Sequence, residues 1–288
     1  MNNKEDSLPL AGCLSSHAES SLVFAGLPDD SQSSYRYGCA KAPQRIRSAY
    51  NGHCYNATAE LGISVEGRVA DLGDLAPKPD WTQTRQTYRE FAETLFRDGK
   101  IPFFAGGDHA VTVPILEALA VLKHPIHVVQ LDAHPDLYPE FEGNRYSHAC
   151  TAARILEMDH VHKLVQLGLR TLNKPQLSLA QKERERLKMA RSKDFSDFRE
   201  YYRYTEAKAP VYITLDMDVF DPAYTPGVSH PVPGGLSSRD ILNFIHNLPW
   251  RIVGMDVVEV NPDLDVNDQT SILAGRILHE AMARVLLQ

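Results

Sequence analysis

The chain has 288 residues, of which 43% are hydrophobic, and its formal net charge is −7 at pH 7. This length is enough for a large core, while the negative charge argues against nucleic acid and anionic membranes as partners. Four cysteines without a CxxC pair, a polar first segment and the lack of a long apolar stretch predict a cytoplasmic protein without signal peptide or membrane span.

Taken in chain order, the pattern predicts a polar N-terminal arm over 1–20 and one domain over 21–288. Strands are predicted at 21–27, 101–105, 126–131, 164–168, 211–215 and 252–260. Helices are predicted at 44–50, 82–96 and 111–121, with a solvated helix and loop in the charged tract 177–208. Strands that alternate with helices favour an α/β fold whose sheet is mainly parallel and binds ligands beyond the carboxyl ends of its strands.

Acids and histidines follow three of the predicted strands, in the segments 106–109 (GGDH), 132–136 (DAHPD) and 216–218 (DMD). In the last two segments the charged residues recur at every second position, so on an extended chain their side chains would point the same way. So many carboxylates in one place would repel one another unless cations lay among them. We therefore predict a two-metal site with the ligands His109, Asp132, His134, Asp136, Asp216 and Asp218.

Each segment also has a simpler interpretation. The glycine pair could form only a turn in which Asp108 caps the next helix, and Asp216 and Asp218 could be a solvated strand end. Oxygen ligands without a thiolate favour Mn²⁺ or Mg²⁺-like ions over zinc, and the two imidazoles favour Mn²⁺ of these, while nickel, cobalt and iron stay open. Two such ions would suit hydrolysis of an unactivated bond.

The order of these motifs, with the downstream segments 231–236 (PVPGGL) and 258–262 (VEVNP), resembles the ureohydrolase (arginase/agmatinase) superfamily. The resemblance runs from about residue 21 to the C-terminus. It implies a three-layer α/β/α fold around a mainly parallel sheet of eight strands, two Mn²⁺ per subunit and a homotrimer or homohexamer. It assigns His109 and Asp136 to one ion, His134 and Asp218 to the other, and Asp132 and Asp216 to both.

The reaction that the resemblance implies is hydrolysis of a guanidinium group to urea and an amine. Glu259 would hold the small cationic guanidino substrate, and His148 would give a proton to the leaving amine. The acidic run after DAHPD, with Glu140 and Asn144 as predicted substrate contacts, would attract an ammonium group. This favours agmatine, which would yield putrescine and urea.

Other substrates and one other class of protein stay open at this stage. Arg36 or Arg145 could pair with a carboxylate, so 4-guanidinobutyrate, arginine and formiminoglutamate are alternatives. A non-catalytic homologue that binds guanidino ligands is a further alternative, whereas a mononuclear deacetylase would need a different ligand set. Asp256 is predicted to be structural or to support a ligand, and His230 to lie at the mouth of the pocket.

Overall fold

The computed structural model describes residues 10–15, 20–195, 199–206 and 208–288. Its strands are β1 (Leu14–Ser15), β2 (Leu22–Leu27), β3 (Val69–Asp74), β4 (Ile101–Gly106), β5 (Ile126–Leu131), β6 (Val161–Leu169), β7 (Leu187–Arg191), β8 (Pro210–Asp216) and β9 (Arg251–Val258). They form one sheet in the order β1-β3-β2-β4-β9-β8-β5-β6-β7, and all described neighbours are parallel. The predicted parallel sheet of eight strands is thus confirmed, with β1 as a two-residue addition at one edge.

The helices are α1 (Ala42–Ala49), α2 (Trp81–Arg97), α3 (Thr112–Ala118), α4 (Thr151–Leu156), α5 (Lys174–Lys182), α6 (Arg199–Tyr202), α7 (Ser238–His246) and α8 (Gln269–Val285). Apolar residues of α1, α7 and α8 pack with Val129 of β5 in one core, whereas those of α2, α3 and α4 pack with Val128 in another. Successive strand residues point to opposite faces, so helices cover the sheet on both sides. This is the expected three-layer arrangement.

The charged tract 177–208 differs from its prediction, because it contains β7 as well as helical segments. Within the described part of the chain, β7 pairs with β6 alone and lies at the end of the sheet. Leu187 and Ala190 are buried there, while Lys188 and Met189 are partly buried and Arg191 is exposed. An edge strand tolerates charged residues on its open side, which hid the strand pattern in this tract.

The predicted N-terminal arm also differs where the structure describes it. Residues 1–9 and 16–19 lie outside the described residues, but Leu10 and Cys13 are buried in the core. The backbone N–H of Ala11 donates to the carbonyl of Tyr50 at 2.8 Å, and β1 pairs with β3. Residues 10–15 therefore pack against the domain. Among the described residues, none of the helices has the length and apolarity needed to cross a bilayer.

The strand order determines where the acidic segments meet. Strands β4, β9, β8 and β5 are consecutive neighbours in the sheet. The GGDH, DAHPD and DMD segments follow β4, β5 and β8, and Glu259 follows β9. Because all four strands run in the same direction, their carboxyl ends form one edge. Segments far apart in the sequence are thereby brought to a single place.

Candidate active site

His109 reaches this edge through a tight turn after β4. The turn, His109–Val111, is capped by Asp108, whose Oδ1 accepts the N–H of Ala110 at 3.0 Å. Oδ2 of Asp108 accepts the N–H of Gln32 at 2.8 Å. The capping role that the sequence left open for Asp108 is thus present, while the side chain of His109 turns inward and is only 1% exposed.

The DAHPD segment converges through a turn. Asp132, His134 and Asp136 all lie beyond the last residue of β5, and Asp136 has a left-handed backbone with φ 48°. Oδ1 of Asp132 accepts the N–H of His134 at 2.6 Å, which closes the first part of the turn. The expectation that an extended chain aligns these side chains is therefore wrong, although the side chains do converge.

Asp216 and Asp218 are related in a similar way. Asp216 ends β8 and caps the short turn Met217–Val219, with Oδ1 accepting the N–H of Asp218 at 2.8 Å. Oδ1 of Asp218 in turn accepts the N–H of Ala133 at 3.0 Å, which links this turn to the one after β5. The Oδ2 atom of each acid faces a histidine: that of Asp216 lies 3.4 Å from Nδ1 of His109, and that of Asp218 lies 2.7 Å from Nδ1 of His134.

Nδ1 of His109 faces three carboxylate oxygens. Oδ2 of Asp132 lies at 3.2 Å, Oδ2 of Asp136 at 3.1 Å and Oδ2 of Asp216 at 3.4 Å. This buried nitrogen forms no hydrogen bond with any described residue. Donor atoms about 2.1 Å from a common ion lie roughly 3.0–3.4 Å apart at octahedral to tetrahedral angles. The unpaired nitrogen and the three oxygens therefore fit the coordination of one divalent cation.

A second group of donor atoms lies beside the first. Nδ1 of His134 is 2.7 Å from Oδ2 of Asp218 and 3.8 Å from Oδ1 of Asp132. These three residues form one candidate metal-binding group, and His109, Asp132 and Asp136 form another. Asp132 belongs to both groups, so its two oxygens can connect two cations.

The electrostatics of the cluster call for positive charge. Burial, with repulsion from Asp136 and Asp218, raises the pKa of Asp132 to about 7. Burial, with repulsion from Asp218 and Asp132, also raises the pKa of Asp216. Although burial alone would lower it, the carboxylate of Asp218 raises the pKa of His134 to about 10. Cations among these groups would relieve the repulsion that the protein otherwise relieves with protons.

Buried polar side chains hold the candidate ligands in place behind the cluster. Nε2 of His109 lies 3.0 Å from Oγ1 of Thr214, which donates to Oδ1 of Asp256 at 2.6 Å. Nε2 of Gln130 donates to Oδ2 of Asp132 at 2.7 Å. Hydrogen bonds of this kind fix the tautomer and orientation of metal-binding side chains. The predicted supporting role of Asp256 agrees with these contacts.

Glu259 and His148 meet on the cavity side of the cluster. Oε1 of Glu259 accepts the N–H of His109 at 2.9 Å and lies 2.8 Å from Nδ1 of His148. Nε2 of His148 lies 2.8 Å from Oγ of Ser34. Although burial alone would lower it, the carboxylate of Glu259 raises the pKa of His148 to about 9. The imidazole therefore carries a proton near neutral pH.

These side chains line a cavity of about 300 Å³. Its remaining walls come from residues that the sequence did not single out: Ser34, Tyr138, Phe141, Ala149, Thr171, Asn173 and Gln176. Asn173 caps α5, and the sequence signal for such a cap, an asparagine two residues before Pro175, was available. His230 also lines the cavity, as expected.

Two predicted substrate contacts lie elsewhere. Glu140 is exposed, and neither it nor Asn144 is among the residues that line the cavity. Nδ2 of Asn144 donates to Oε1 of Gln32 at 2.8 Å, and its Oδ1 accepts the N–H of Tyr146 at 2.9 Å. Asn144 therefore supports the loop before His148 rather than facing the cavity.

Arg170 is a supporting residue that the sequence did not indicate. Its guanidinium donates to the carbonyl oxygens of Asp218 at 2.6 Å and Phe220 at 3.0 Å. It also donates to the carbonyl of Val232 at 2.7 Å and to that of Gly168 at 3.1 Å. One partly buried cation thus holds the turn after β8 against the loop that contains the PVPGGL segment.

Known proteins resemble this chain over nearly all its length. The model of the arginase family matches residues 20–283. Arginase 1, mitochondrial, of Arabidopsis thaliana is 37% identical over 93% of this chain and 82% of its own. The structure of proclavaminate amidinohydrolase from Streptomyces clavuligerus superposes with a TM-score of 0.88 at 31% identity, covering 99% of each chain. The agmatine ureohydrolase of Thermoplasma volcanium has a TM-score of 0.84 at 32% identity, covering 96% and 94%.

Proposed function

The chain belongs to the arginase family of hydrolases, and on that premise we propose that it releases urea from a small cationic guanidino compound. The observation that carries the proposal is the convergence of two His/Asp metal-binding groups with Glu259 in one cavity. A site for two metal ions is common to many kinds of hydrolase. A buried carboxylate beside that site suits a substrate that carries a positive charge.

In this proposal, His109 and Asp136 would hold one divalent ion and His134 and Asp218 the other, with Asp132 and Asp216 as the ligands that the two ions would share. When bound, the ion pair supplies Lewis acidity, which lowers the pKa of water and polarises the group under attack. We favour Mn²⁺ because the donor set combines hard oxygens with imidazoles and contains no thiolate.

Glu259 and His148 act on the substrate. The carboxylate of Glu259 orients the guanidinium, since it is 4% exposed and already held by the N–H of His109. His148 carries an acidic proton on its imidazolium ring, whose Nδ1 lies 2.8 Å from Oε1 of Glu259. As the bond to the amine breaks, His148 donates that proton to the leaving nitrogen, because a free amine is a better leaving group than its anion.

Agmatine is the substrate that we propose. Among the described residues that line the cavity, there is no lysine or arginine that could pair with a substrate carboxylate. Arg145, which the sequence left open for that role, instead pairs with Glu157 at 2.7 Å, and Arg36 lies over the ring of Tyr35. The aromatic walls, Tyr138 and Phe141, can receive a cationic chain end.

Arginine is the second candidate, because the curated relatives include plant proteins named arginase at 35–37% identity. Thr171 and Asn173 in the cavity wall offer neutral hydrogen-bond groups for an α-amino acid. The comparison that decides between the two substrates is the ratio of kcat/KM values.

The test is urea release by the manganese-loaded protein from agmatine, arginine and 4-guanidinobutyrate. The last compound is the matched control, since it keeps the guanidinium and replaces the terminal ammonium with a carboxylate. We expect agmatine to have the highest kcat/KM, by about tenfold or more. Urea from none of them would contradict the proposed reaction, and a preference for arginine would contradict the proposed substrate. We also propose that the protein acts in the cytoplasm as a homotrimer or homohexamer.

A further inference from the structure

A third group of donor atoms lies in the same cavity. His148, His230 and Glu259 each offer one ligand atom within 4.8 Å of the other two. The ring centroids of His148 and His230 are 5.0 Å apart. Two of these residues have roles in the proposed reaction, but that reaction gives none to His230.

The loop that carries His230 is held firmly by its neighbours. Ser229 is 1% exposed, and its Oγ donates to the carbonyl of Arg36 at 2.8 Å. The same oxygen accepts Nδ2 of Asn261 at 3.0 Å, two residues after Glu259. His230 is thus fixed relative to Glu259 by a short chain of buried hydrogen bonds, as a ligand of a preformed site would be.

Two of the three donor atoms are in hydrogen-bond contact with each other. Nδ1 of His148 and Oε1 of Glu259 are 2.8 Å apart, which suits a hydrogen bond. Ligands about 2.1 Å from one ion are roughly 3.0–3.4 Å apart, so this pair would open by a few tenths of an ångström around a cation, while the donor atom of His230 lies within 4.8 Å of both. The buried carboxylate supplies negative charge, and the two imidazoles supply neutral nitrogen ligands once the proton leaves.

We propose that His148, His230 and Glu259 form a third divalent-cation site, suited to Zn²⁺, whose occupancy excludes the guanidino substrate. Two imidazoles and one carboxylate with an open fourth position are a ligand set that zinc favours. Binding releases the proton of His148 Nδ1 to solvent and takes up the carboxylate of Glu259. The exclusion of substrate rests on the proposed function, because it requires that Glu259 holds the guanidinium.

The test begins with binding and needs no turnover. Zinc is added to the manganese-loaded protein, and both metals are counted per chain after removal of free ions. We expect the wild-type chain to keep its manganese and to bind one zinc ion more. The substitution His230→Phe should weaken that zinc by about tenfold or more, since it removes a direct ligand. His230→Gln should do the same, which guards against a folding defect of the first variant.

His162→Phe is the matched control. Like His230, His162 packs against another histidine: its ring centroid is 5.3 Å from that of His127. It lies near the start of β6, however, and so at the amino ends of the strands, away from the active site at their carboxyl ends. It should bind the extra zinc like the wild type. Zinc that only replaces manganese, or unchanged zinc binding by both His230 variants, would overturn the proposal.

Kinetics then separate this inference from the proposed function. With manganese saturating, zinc should inhibit competitively with the guanidino substrate, and the His230 substitutions should relieve the inhibition. Urea release without an extra zinc ion would refute the third site alone. An extra zinc ion that requires His230, in a protein that releases no urea, would support the site and refute the proposed reaction.

Discussion

Glu259 shows how single residues in this site are constrained. Its φ of 64° is a left-handed conformation that a non-glycine residue adopts at an energetic cost. Its N–H donates to the carbonyl of Gly107 at 2.9 Å, and Sγ of Cys39 lies 3.6 Å from Oε2. These contacts turn the carboxylate into the cavity just after β9 ends. The sequence could name the residue but could not show that a strained backbone aims it.

The first prediction concerns this carboxylate. Glu259→Gln keeps the size of the side chain and removes its charge, so the substrate guanidinium loses a charge-assisted hydrogen bond worth about 1.5–3 kcal/mol. We expect kcat/KM for agmatine to fall about 10- to 100-fold while the metal content is unchanged. Steady-state kinetics and metal analysis of the same preparation measure both quantities.

Glu140→Gln is the matched control for that substitution. Glu140 is exposed and lies outside the cavity lining, so its loss should leave kcat/KM nearly unchanged. An unchanged kcat/KM for Glu259→Gln, with a loss for Glu140→Gln, would mean that the acidic loop, and not Glu259, recognises the cation.

At the scale of elements, the turn after β4 joins two parts of the site. A Cβ at Gly107 would lie 1.9 Å from the carbonyl oxygen of Asp29. That close approach lets the N–H of Asp108 donate to Asp29 at 3.0 Å and the carbonyl of Gly107 accept from Glu259. The glycine is therefore needed because two backbone segments pack directly against each other here. A left-handed φ is not the reason, since Gly107 does not have one.

Gly107→Ala should consequently separate the segment after β2 from the segment after β4. We expect metal affinity to fall about tenfold, because His109 and Glu259 both depend on this turn. Gly62→Ala is the control: it has open space around it and a φ of 77°, so it should cost about 1–2 kcal/mol of stability without changing metal affinity. Isothermal titration with Mn²⁺ would show the difference, and equal affinities in the two variants would contradict the role given to the turn.

At the scale of the whole molecule, a buried acid far from the active site joins separate parts of the fold. Glu280 in α8 is fully buried, and its Oε2 lies 2.7 Å from Nε2 of His246 at the end of α7. Its Oε1 accepts the N–H of Glu60 at 2.8 Å and lies 2.6 Å from Arg276. One carboxylate thus connects helices α7 and α8 with the loop between α1 and β3.

Removal of this carboxylate should destabilise the protein. Glu280→Ala removes the fully buried acceptor that His246, Arg276 and the N–H of Glu60 share, so we expect the unfolding free energy to fall by about 1.5–3 kcal/mol. Lys41→Ala is the control, since its pair with Asp263 is exposed and should contribute about 0.2–1 kcal/mol. Urea denaturation of both variants provides the comparison. A loss below 1 kcal/mol for Glu280→Ala would show that the network is not a main support of the fold.

The residue patterns predicted most of the central sheet, because its buried strands are continuous apolar runs. They failed at β7, where Lys188 and Arg191 mask an edge strand, and at β3, which was not predicted as a strand. They also could not place Glu140, which is exposed and outside the cavity lining, because a charged loop residue has the same sequence pattern whether it faces a cavity or solvent. Local patterns predict which residues of a strand or helix are buried. They do not predict which loop packs over the carboxyl ends of the strands.

The sequence by itself determined the family, the parallel α/β architecture and the set of acids and histidines that could meet beyond the strand ends. These follow from local features: strand runs, turn residues and motif spacing. Only the tertiary structure decided the neighbour order β4-β9-β8-β5, the turns that bring the carboxylates round Nδ1 of His109, and the position of His230 beside Glu259. All three features depend on contacts between segments that are distant in the sequence. His148 and Glu259, for example, are 111 positions apart. Packing of the whole chain, and no local preference, sets such distances.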